Sequence, residues 1–528
     1  MAKIPKLPDI AEQDITAEVA QLLEVIRYQA ELIGQLRDEI AVLKGNKPRP
    51  RIKPGRMEKG NKEKKKTECS DGKRPGSAKR SKTKALPIHE TVEVPAENVP
   101  AGSQFKGYRE FTVQGLVVEP HNILYRLERW RTPEGSYVEG KLPREVNGHF
   151  SPELIRYIVY QYHQCHVTQP LLLEALGEFG VDISSGQLSR ILIEGHDSFH
   201  EEKEDILSGG LEVSSYINVD DTGARHQGRN GYCTHIGNEF FAWFESTGSK
   251  SRINFLELLR AGHKEYHINE EALCYMKAQK LPEAQRRVLE KEKQKVFASD
   301  TEWNSHLHAI SITSKRHVRI ATEGALVGSI IENDFNRDLV VLSDDAGQYN
   351  VFLHGLCWVH AERTIGKITP FCEKHRRVLE SSREKIWTLY DDLKAYKKKP
   401  ILKRKRELAK RFETIFKEKT GFITLDLALE RLYRNKAELL LVLDRPDIPL
   451  HNNESERDIR EYVKRRKVSG GTRSDPGRKS RDTFTSLKKT CRKLGISFWK
   501  YLYDRITGNN NIPQLGTLIR ETASTSTY

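Results

Sequence analysis

Three acidic residues stand in settings where carboxylates could act together on a phosphodiester. Asp220 closes the run Ile217-Asn-Val, Asp344 closes Asp338-Leu-Val-Val-Leu-Ser, and Glu456 lies within Leu450-His-Asn-Asn-Glu-Ser-Glu-Arg-Asp-Ile-Arg460. In-line displacement at phosphorus needs positive charge at both the attacking and the leaving oxygen, and a pair of divalent ions supplies it. Mg²⁺ is hard, keeps several waters and is usually held by a few carboxylates; Mn²⁺ accepts the same oxygen ligands. Asp220, Asp344 and Glu456 are therefore the candidate catalytic and metal-ligating residues, for two Mg²⁺ ions that Mn²⁺ can replace. Spacing alone does not select them, because 73 acidic residues allow many such triples. Asp220-Asp221-Thr222 and Asp344-Asp345 also read as turns or caps after strands. Glu456, close to Glu454, Asp458 and Glu461, also reads as plain helix surface.

The elements around the acids narrow the choice. From Ser214 the chain shows Ile217–Asp220, then Tyr232-Cys-Thr-His-Ile and Glu239-Phe-Phe-Ala-Trp-Phe-Glu245, strand-like runs with a hairpin signal at Gly237-Asn238. A helix, Ile253–Arg260, follows, then a mostly charged helical stretch over 264–296, and the buried strand ending at Asp344. Three antiparallel strands, a helix and a fourth strand ending in Asp is the order of an RNase H-like sheet. There the acids of the first and fourth strands lie side by side and a third arrives on a later helix. The expected fold class is thus α/β: an RNase H-like catalytic core over 211–366, a mainly helical insertion over 367–445, and a catalytic helix with C-terminal helices over 446–508.

Residues beside the acids carry a resemblance. After Asp344 come Ala346-Gly-Gln-Tyr349 and Gly355-Leu-Cys-Trp-Val-His-Ala361; before Glu456 come Asn452 and Asn453, and after it Arg457. These segments resemble the insertion sequence 66 family of DDE transposases. Its pattern has Asp-Glu-Thr after the first core strand, Asp-Gly-x-x-x-Tyr after the fourth, Cys-Trp-x-His-Ala, and Asn-Asn-x-x-Glu-Arg at the third acid. Ser486–Gly495 and Tyr501-Leu-Tyr503 resemble the family's closing helices. The resemblance implies a transposase of a bacterial insertion sequence that binds element ends as an oligomer and catalyses Mg²⁺-dependent strand cleavage and transfer. It implies that Asp220, Asp344 and Glu456 are the first, second and third acids, with Cys357, His360, Asn453 and Arg457 in support. His360 would orient a phosphate or the third carboxylate, or serve as a buried core histidine. Arg457 would contact the scissile strand or pair with Asp221 or Asp345. The chain departs from the pattern in having Asp221 where Glu is usual, and only Cys69 where the family often has a cysteine-rich zinc motif. It reads as a divergent branch without that zinc site. The alternative is a non-catalytic or inactivated DNA-binding protein; an RNase H-like nuclease is a further rival.

The remainder of the chain suits a nucleic-acid partner. Its net charge is +15, from 88 Lys and Arg against 73 acids, and residues 47–84 alone hold 16 basic and 4 acidic residues. Such a run favours a polyanion, because each cation that meets a phosphate releases counterions. Ile15, Val19, Leu22, Ile26, Gln29, Ile33, Leu36, Ile40 and Leu43 step by four and three, a heptad seam that predicts a coiled coil and a homo-oligomer. The expected plan is a coiled-coil helix over 10–46, a disordered basic linker over 47–85, and a small β-rich module over 86–148 containing Phe111–Val118 and Asn122–Leu127. A helix-turn-helix-like region follows over 149–210, and the chain closes with a flexible tail over 509–528. In the helix-turn-helix, Gln187 and Arg190 face a groove or phosphates; after Glu456, Lys464, Arg465, Arg466 and Lys467 form a second candidate DNA-binding run. The seven scattered cysteines contain no CxxC and suggest neither a disulfide framework nor a zinc ribbon. With no apolar run of membrane-spanning length, a cytoplasmic, nucleoid-associated protein is expected.

Overall fold

A computed structural model describes residues 87–526 except 98, 144–147 and 334, together with Val19, Leu22, Ile26 and Gln29, which are helical. The rest of the heptad seam and all of the basic linker lie outside the described residues. The chain divides into two units, Glu24–Val118 and Glu119–Tyr528 with Met1–Leu23.

The expected β-rich module is largely absent. In the first unit, the described residues 87–118 form neither strand nor helix, and Phe111 and Leu116 are 86% and 88% exposed. In the second, Asn122–Leu127 is likewise without strand. Alternating apolar residues make a strand only where a facing chain accepts the ladder bonds and one face is buried, and neither run has either. What remains is one short exposed hairpin, β1 (Arg129–Arg131) and β2 (Tyr137–Glu139).

Four helices follow: α1 (Pro152–His163), α2 (Gln169–Glu178), α3 (Ser185–Ile193) and α4 (Asp197–Val213). The first three share a small core of Ile158, Leu172, Leu176, Leu188 and Leu192. Ser184 and Gln187 form a reciprocal capping box at the start of α3, which satisfies backbone donors that the helix leaves open.

The central sheet is mixed. β3 (Tyr216–His226) pairs antiparallel with β4 (Arg229–Gly237), and β4 with β5 (Ala242–Thr247). An excursion follows: α5 (Arg252–Leu259), β6 (Tyr266–His267), α6 (Glu270–Ala278), α7 (Glu283–Lys291), β7 (Val296–Phe297), α8 (Asp300–Ala309) and α9 (Lys315–Glu332). The stretch expected to be helical over 264–296 thus also carries two short strands, and β6 pairs with β7. β8 (Val340–Ser343) then lies parallel to β3, and β9 (Leu353–Leu356) parallel to β8, giving the order β5-β4-β3-β8-β9. The helical excursion that follows comprises α10 (Trp358–Gly366), α11 (Glu373–Lys398), α12 (Leu402–Phe416), α13 (Ile423–Arg434) and α14 (Lys436–Leu439). It has its own core, centred on Leu389, Leu393, Phe412, Phe422, Leu425 and Leu429.

The chain then runs through α15 (Asn453–Ser469), α16 (Asp475–Lys493), α17 (Phe498–Thr507) and α18 (Leu515–Ser526). α16 runs along edge strand β5 and occupies its free donors. The amides of Ala242, Phe244 and Ser246 donate to Thr490 Oγ1 (3.2 Å), Ser486 Oγ (2.9 Å) and Asp482 Oδ2 (2.8 Å). Four helical residues rise about 6 Å and two strand residues about 6.6 Å, so acceptors every fourth position match donors every second. An edge that would otherwise template another strand is closed.

Among the described residues, the segment expected as a flexible tail is helical from Leu515 to Ser526. α18 packs on α4 with Leu515 and Ile519 fully buried, and the Leu515 amide donates to Glu202 Oε1 at 2.9 Å. Leu515, Ile519 and Ala523, four apart, supply one apolar stripe on a segment whose Thr and Ser content disguises it. Among the described residues no helix is long and apolar enough to cross a membrane.

Candidate active site

β3 and β8 bring the first two acids together. Their parallel register pairs Tyr216 with Val340, Ile217 with Val341 and Asn218 with Leu342; carried two residues further, it sets Asp344 beside Asp220. Asp220 lies within β3 rather than at its end, because pairing with β4 continues to His226. Burial pushes the Asp220 carboxyl up to about 7, and the charges of Asp344, Asp221 and Glu456 add to the rise against a bond from the Asp221 amide. Both other candidate acids therefore act on Asp220, in a half-buried site. Asp344 Oδ1 accepts the Ala346 amide at 3.1 Å, which fixes the turn after β8. Asp221 belongs to that turn too: it accepts from Gln348 Nε2 (2.9 Å) and the Tyr349 hydroxyl (3.1 Å).

Glu456 arrives on the first turn of α15, and the start of that helix is held at three points. Asn452, buried, donates its side-chain amide to the Val219 carbonyl at 2.8 Å, one residue before Asp220. Its backbone amide donates to Cys357 Sγ at 3.2 Å. Ser455 Oγ meets His235 Nδ1 of β4 at 2.8 Å. One turn on, Asp458 lies 2.8 Å from Lys489 and 3.0 Å from Lys493 of α16. Asn452→Ala removes the bond that ties the helix start to β3. It is expected to cost about 1–3 kcal/mol, because a buried carbonyl loses its donor; a lower urea midpoint at unchanged slope is the measurement.

The Glu456 carboxylate is claimed by α10. Oε1 lies 3.0 Å from Arg363 Nη1 and 3.5 Å from His360 Nε2, and Oε2 lies 3.8 Å from Arg460. Among the described residues no group of three or more His, Cys, Asp or Glu side chains stands where it could hold a metal ion. In kind, the three acids fit a hard divalent cation, because all donors are carboxylate oxygens.

The supporting residues separate. Cys357 caps α10 from a buried position, and burial pushes its thiol up to about 11, leaving it neutral. His360 touches Glu456, and burial pushes its imidazole below the usual range against the pull of that carboxylate. Asn453 opens α15, but the buried bonds are those of Asn452. Arg457 is exposed; the partners expected for it are taken, Asp221 by Gln348 and Tyr349, and Asp345 by Arg431 (2.6 Å) and Asn435 (3.1 Å).

The basic run also divides. Lys464 and Lys467 are exposed. Arg465 is buried, its guanidinium 3.8 Å over the Tyr162 ring and donating to the Tyr162 carbonyl. Arg466 donates to the Gly223 carbonyl and lies 3.3 Å from Thr222 Oγ1. The two arginines brace α15 against α1 and β3. In α3, Gln187 is committed to its cap while Arg190 is exposed. Arg363 is a site residue that the sequence motifs do not single out, although its place three residues after His360 puts both on one helix face.

A mixed α/β fold with Asp220 in β3, Asp344 directly after its parallel neighbour β8 and Glu456 on a later helix is what fold and site define. Residues 275–480 match the Transposase IS66 family, a segment that includes Asp344, Cys357, His360 and Glu456 and begins after Asp220. An uncharacterized protein of Sinorhizobium fredii (strain NBRC 101917 / NGR234), y4jO, is 44% identical over 303 residues, which are 57% of this chain and 94% of that protein. The chain belongs to the IS66 family of transposases.

Proposed function

We propose that the chain cuts and joins DNA with Asp220, Asp344 and Glu456 as its catalytic carboxylates, on an RNase H-like core. The observation that carries this reading is the parallel register of β3 and β8, which sets Asp344 beside Asp220, with Glu456 on a helix whose start is tied to β3 by Asn452. The strand order, with β3 central between an antiparallel pair and a parallel pair, supports the RNase H-like assignment. Two Mg²⁺ ions, or Mn²⁺ in their place, would supply the activated water and the charge that stabilises the leaving oxygen. Asp220 and Asp344 are set to bind them from the sheet, and Glu456 completes the set by turning its carboxylate from Arg363 toward the other two. Arg363 would then face the phosphate of the strand. In the first step water attacks phosphorus and the bond to the 3′ oxygen breaks, leaving a 3′ hydroxyl and a 5′ phosphate. In the second, that hydroxyl attacks a target phosphodiester and displaces another 3′ oxygen. The heptad seam joins copies, the basic arm and the α1–α3 region hold element ends, and the protein works at the nucleoid.

A second reading has its own support. Glu456 paired with Arg363 suits a DNA-binding chain without catalysis, either a regulator or an inactivated transposase. Incubating the full-length protein with its element's ends, Mg²⁺ and a target plasmid separates the two. Nicked ends and joined products support the catalytic reading, and cleavage without joining points to a nuclease. Bound but uncut DNA supports the second reading.

A further inference from the structure

A cavity of about 290 Å³ lies at the tip of the β3–β4 hairpin, bordered by the end of β5, α15 and the chain entering α16. Arg225, Arg229, Asn230, Tyr462, Thr472 and Arg478 are among its walls. We propose that this cavity holds a backbone phosphate of bound DNA, with Arg225 and Arg229 as its principal contacts. The inference rests on the DNA-processing reading given above and extends it to a site away from the acids.

The cavity is pre-formed. Thr472 is stitched to the hairpin: its amide donates to the Arg225 carbonyl (2.9 Å), its carbonyl accepts from the Gln227 amide (2.8 Å), and its hydroxyl meets His226 Nδ1 (2.8 Å). Gly471 permits this closeness, since a Cβ there would collide with the Arg225 carbonyl. Tyr462 and Ser246 close the floor through a 2.8 Å bond between their hydroxyls.

Two of its cations, Arg225 and Arg229, are uncompensated. Asp475 is shared between His226 (3.3 Å) and Arg478 (3.0 Å). Arg225 spends Nε on the Gly228 carbonyl of its own turn at 3.0 Å, and among the described residues neither Arg225 nor Arg229 is paired with a carboxylate. Two exposed guanidiniums without acids, beside a concave wall, match an oxyanion with several acceptor oxygens. Position selects DNA. Asp220, Ala224 and His226 share one face of β3, where α15 covers Ala224 with Ile459 and Tyr462; Arg225 lies on the opposite face, and Arg229 pairs with His226 at the hairpin end. From Asp220 to His226 the strand advances about 20 Å at roughly 3.3 Å per residue, the rise of about six duplex steps. A duplex held at the acids therefore has a phosphate about half a helical turn on at the distance of the hairpin tip.

The test compares the full-length protein with Arg225→Ser/Arg229→Ser on a short mixed-sequence duplex over a range of salt. Each lost phosphate contact lowers the slope of log affinity against log salt by about one. The double variant is expected to lose one to two of slope, and about tenfold or more in affinity at low salt. The basic arm over 47–84 is common to both chains and cancels in the difference. Lys403→Ser/Arg406→Ser, on the exposed side of α12, is expected to leave the slope unchanged. An unaltered slope in the Arg225/Arg229 variant overturns the phosphate site and leaves the transposase reading standing, whereas a wild-type chain that ignores DNA overturns both. Equal melting temperatures exclude misfolding. If the double variant folds poorly, Arg229→Ser alone, which breaks no ion pair, decides the question by a slope change of about one.

Discussion

Asp344→Asn is expected to abolish strand cleavage while leaving DNA affinity within a factor of about two. Asparagine keeps the shape of the side chain and an oxygen for the Ala346 amide, so the turn after β8 survives. What disappears is a negative charge beside Asp220. Losing one carboxylate of a shared metal site removes about 4 kcal/mol of transition-state stabilisation, roughly a thousandfold in rate. Stability moves the other way. Burial, with Asp344 among the neighbours, raises Asp220 to about 7, well above the value near 4 of an unfolded chain. A carboxyl shifted upward in the folded state stabilises below the unfolded pKa, and that contribution fades as pH rises toward 7. Removing the Asp344 charge lowers the Asp220 pKa and narrows that window, so the variant melts no lower than wild type at pH 7.5 and gains less on acidification to pH 5. A large cleavage defect with no loss of stability is the signature of a working acid. A structural acid gives the reverse.

Glu202→Ala is expected to have the largest effect on folding. Glu202 is 4% exposed and accepts from Arg505 Nε (2.8 Å) and Nη2 (3.0 Å), the Tyr501 hydroxyl (2.7 Å) and the Leu515 amide (2.9 Å). It therefore ties α4 to both α17 and α18. Removing it leaves the Arg505 guanidinium, itself almost fully buried, with only part of its partner set, chiefly Asp504 at 2.6 Å. Breaking a buried pair from one side costs about 3–5 kcal/mol. Urea denaturation reads the loss directly. Limited proteolysis reads its location, since cleavage within 509–514 is expected to appear first as α18 detaches. Glu202→Gln, which keeps an acceptor but not the charge, is expected to fall between the two.

Asp220 and Asp344 are legible in the residues because each follows apolar positions that build a buried strand, and strand order then dictates adjacency. Glu456 is legible through its neighbours, while the residue that locks its helix, Asn452, is harder to separate from Asn453. Both are polar at a helix start, and only the packing of α15 on β3 decides which one turns inward. Arg465 and Arg466 read as a solvated basic run because charge is visible in a sequence and burial of a guanidinium over Tyr162 is not. Gln187 reads as a groove contact, yet the serine three residues before it already signals a capping box. Phe111–Val118 and Asn122–Leu127 carry strand composition without a facing strand, which no local pattern records. The segment after 509 has the opposite fault: its polar residues hide three apolar positions four apart.

Whether Asp220, Asp344 and Glu456 share a pair of divalent ions is tested most directly by anomalous scattering, from crystals of the full-length protein bound to end DNA and Mn²⁺. Two manganese peaks are expected, with oxygens of all three residues about 2.1–2.2 Å from them, close to the values for Mg²⁺, and the Glu456 carboxylate turned off Arg363. Manganese elsewhere, or Glu456 still on Arg363 with DNA in place, would contradict a shared metal site.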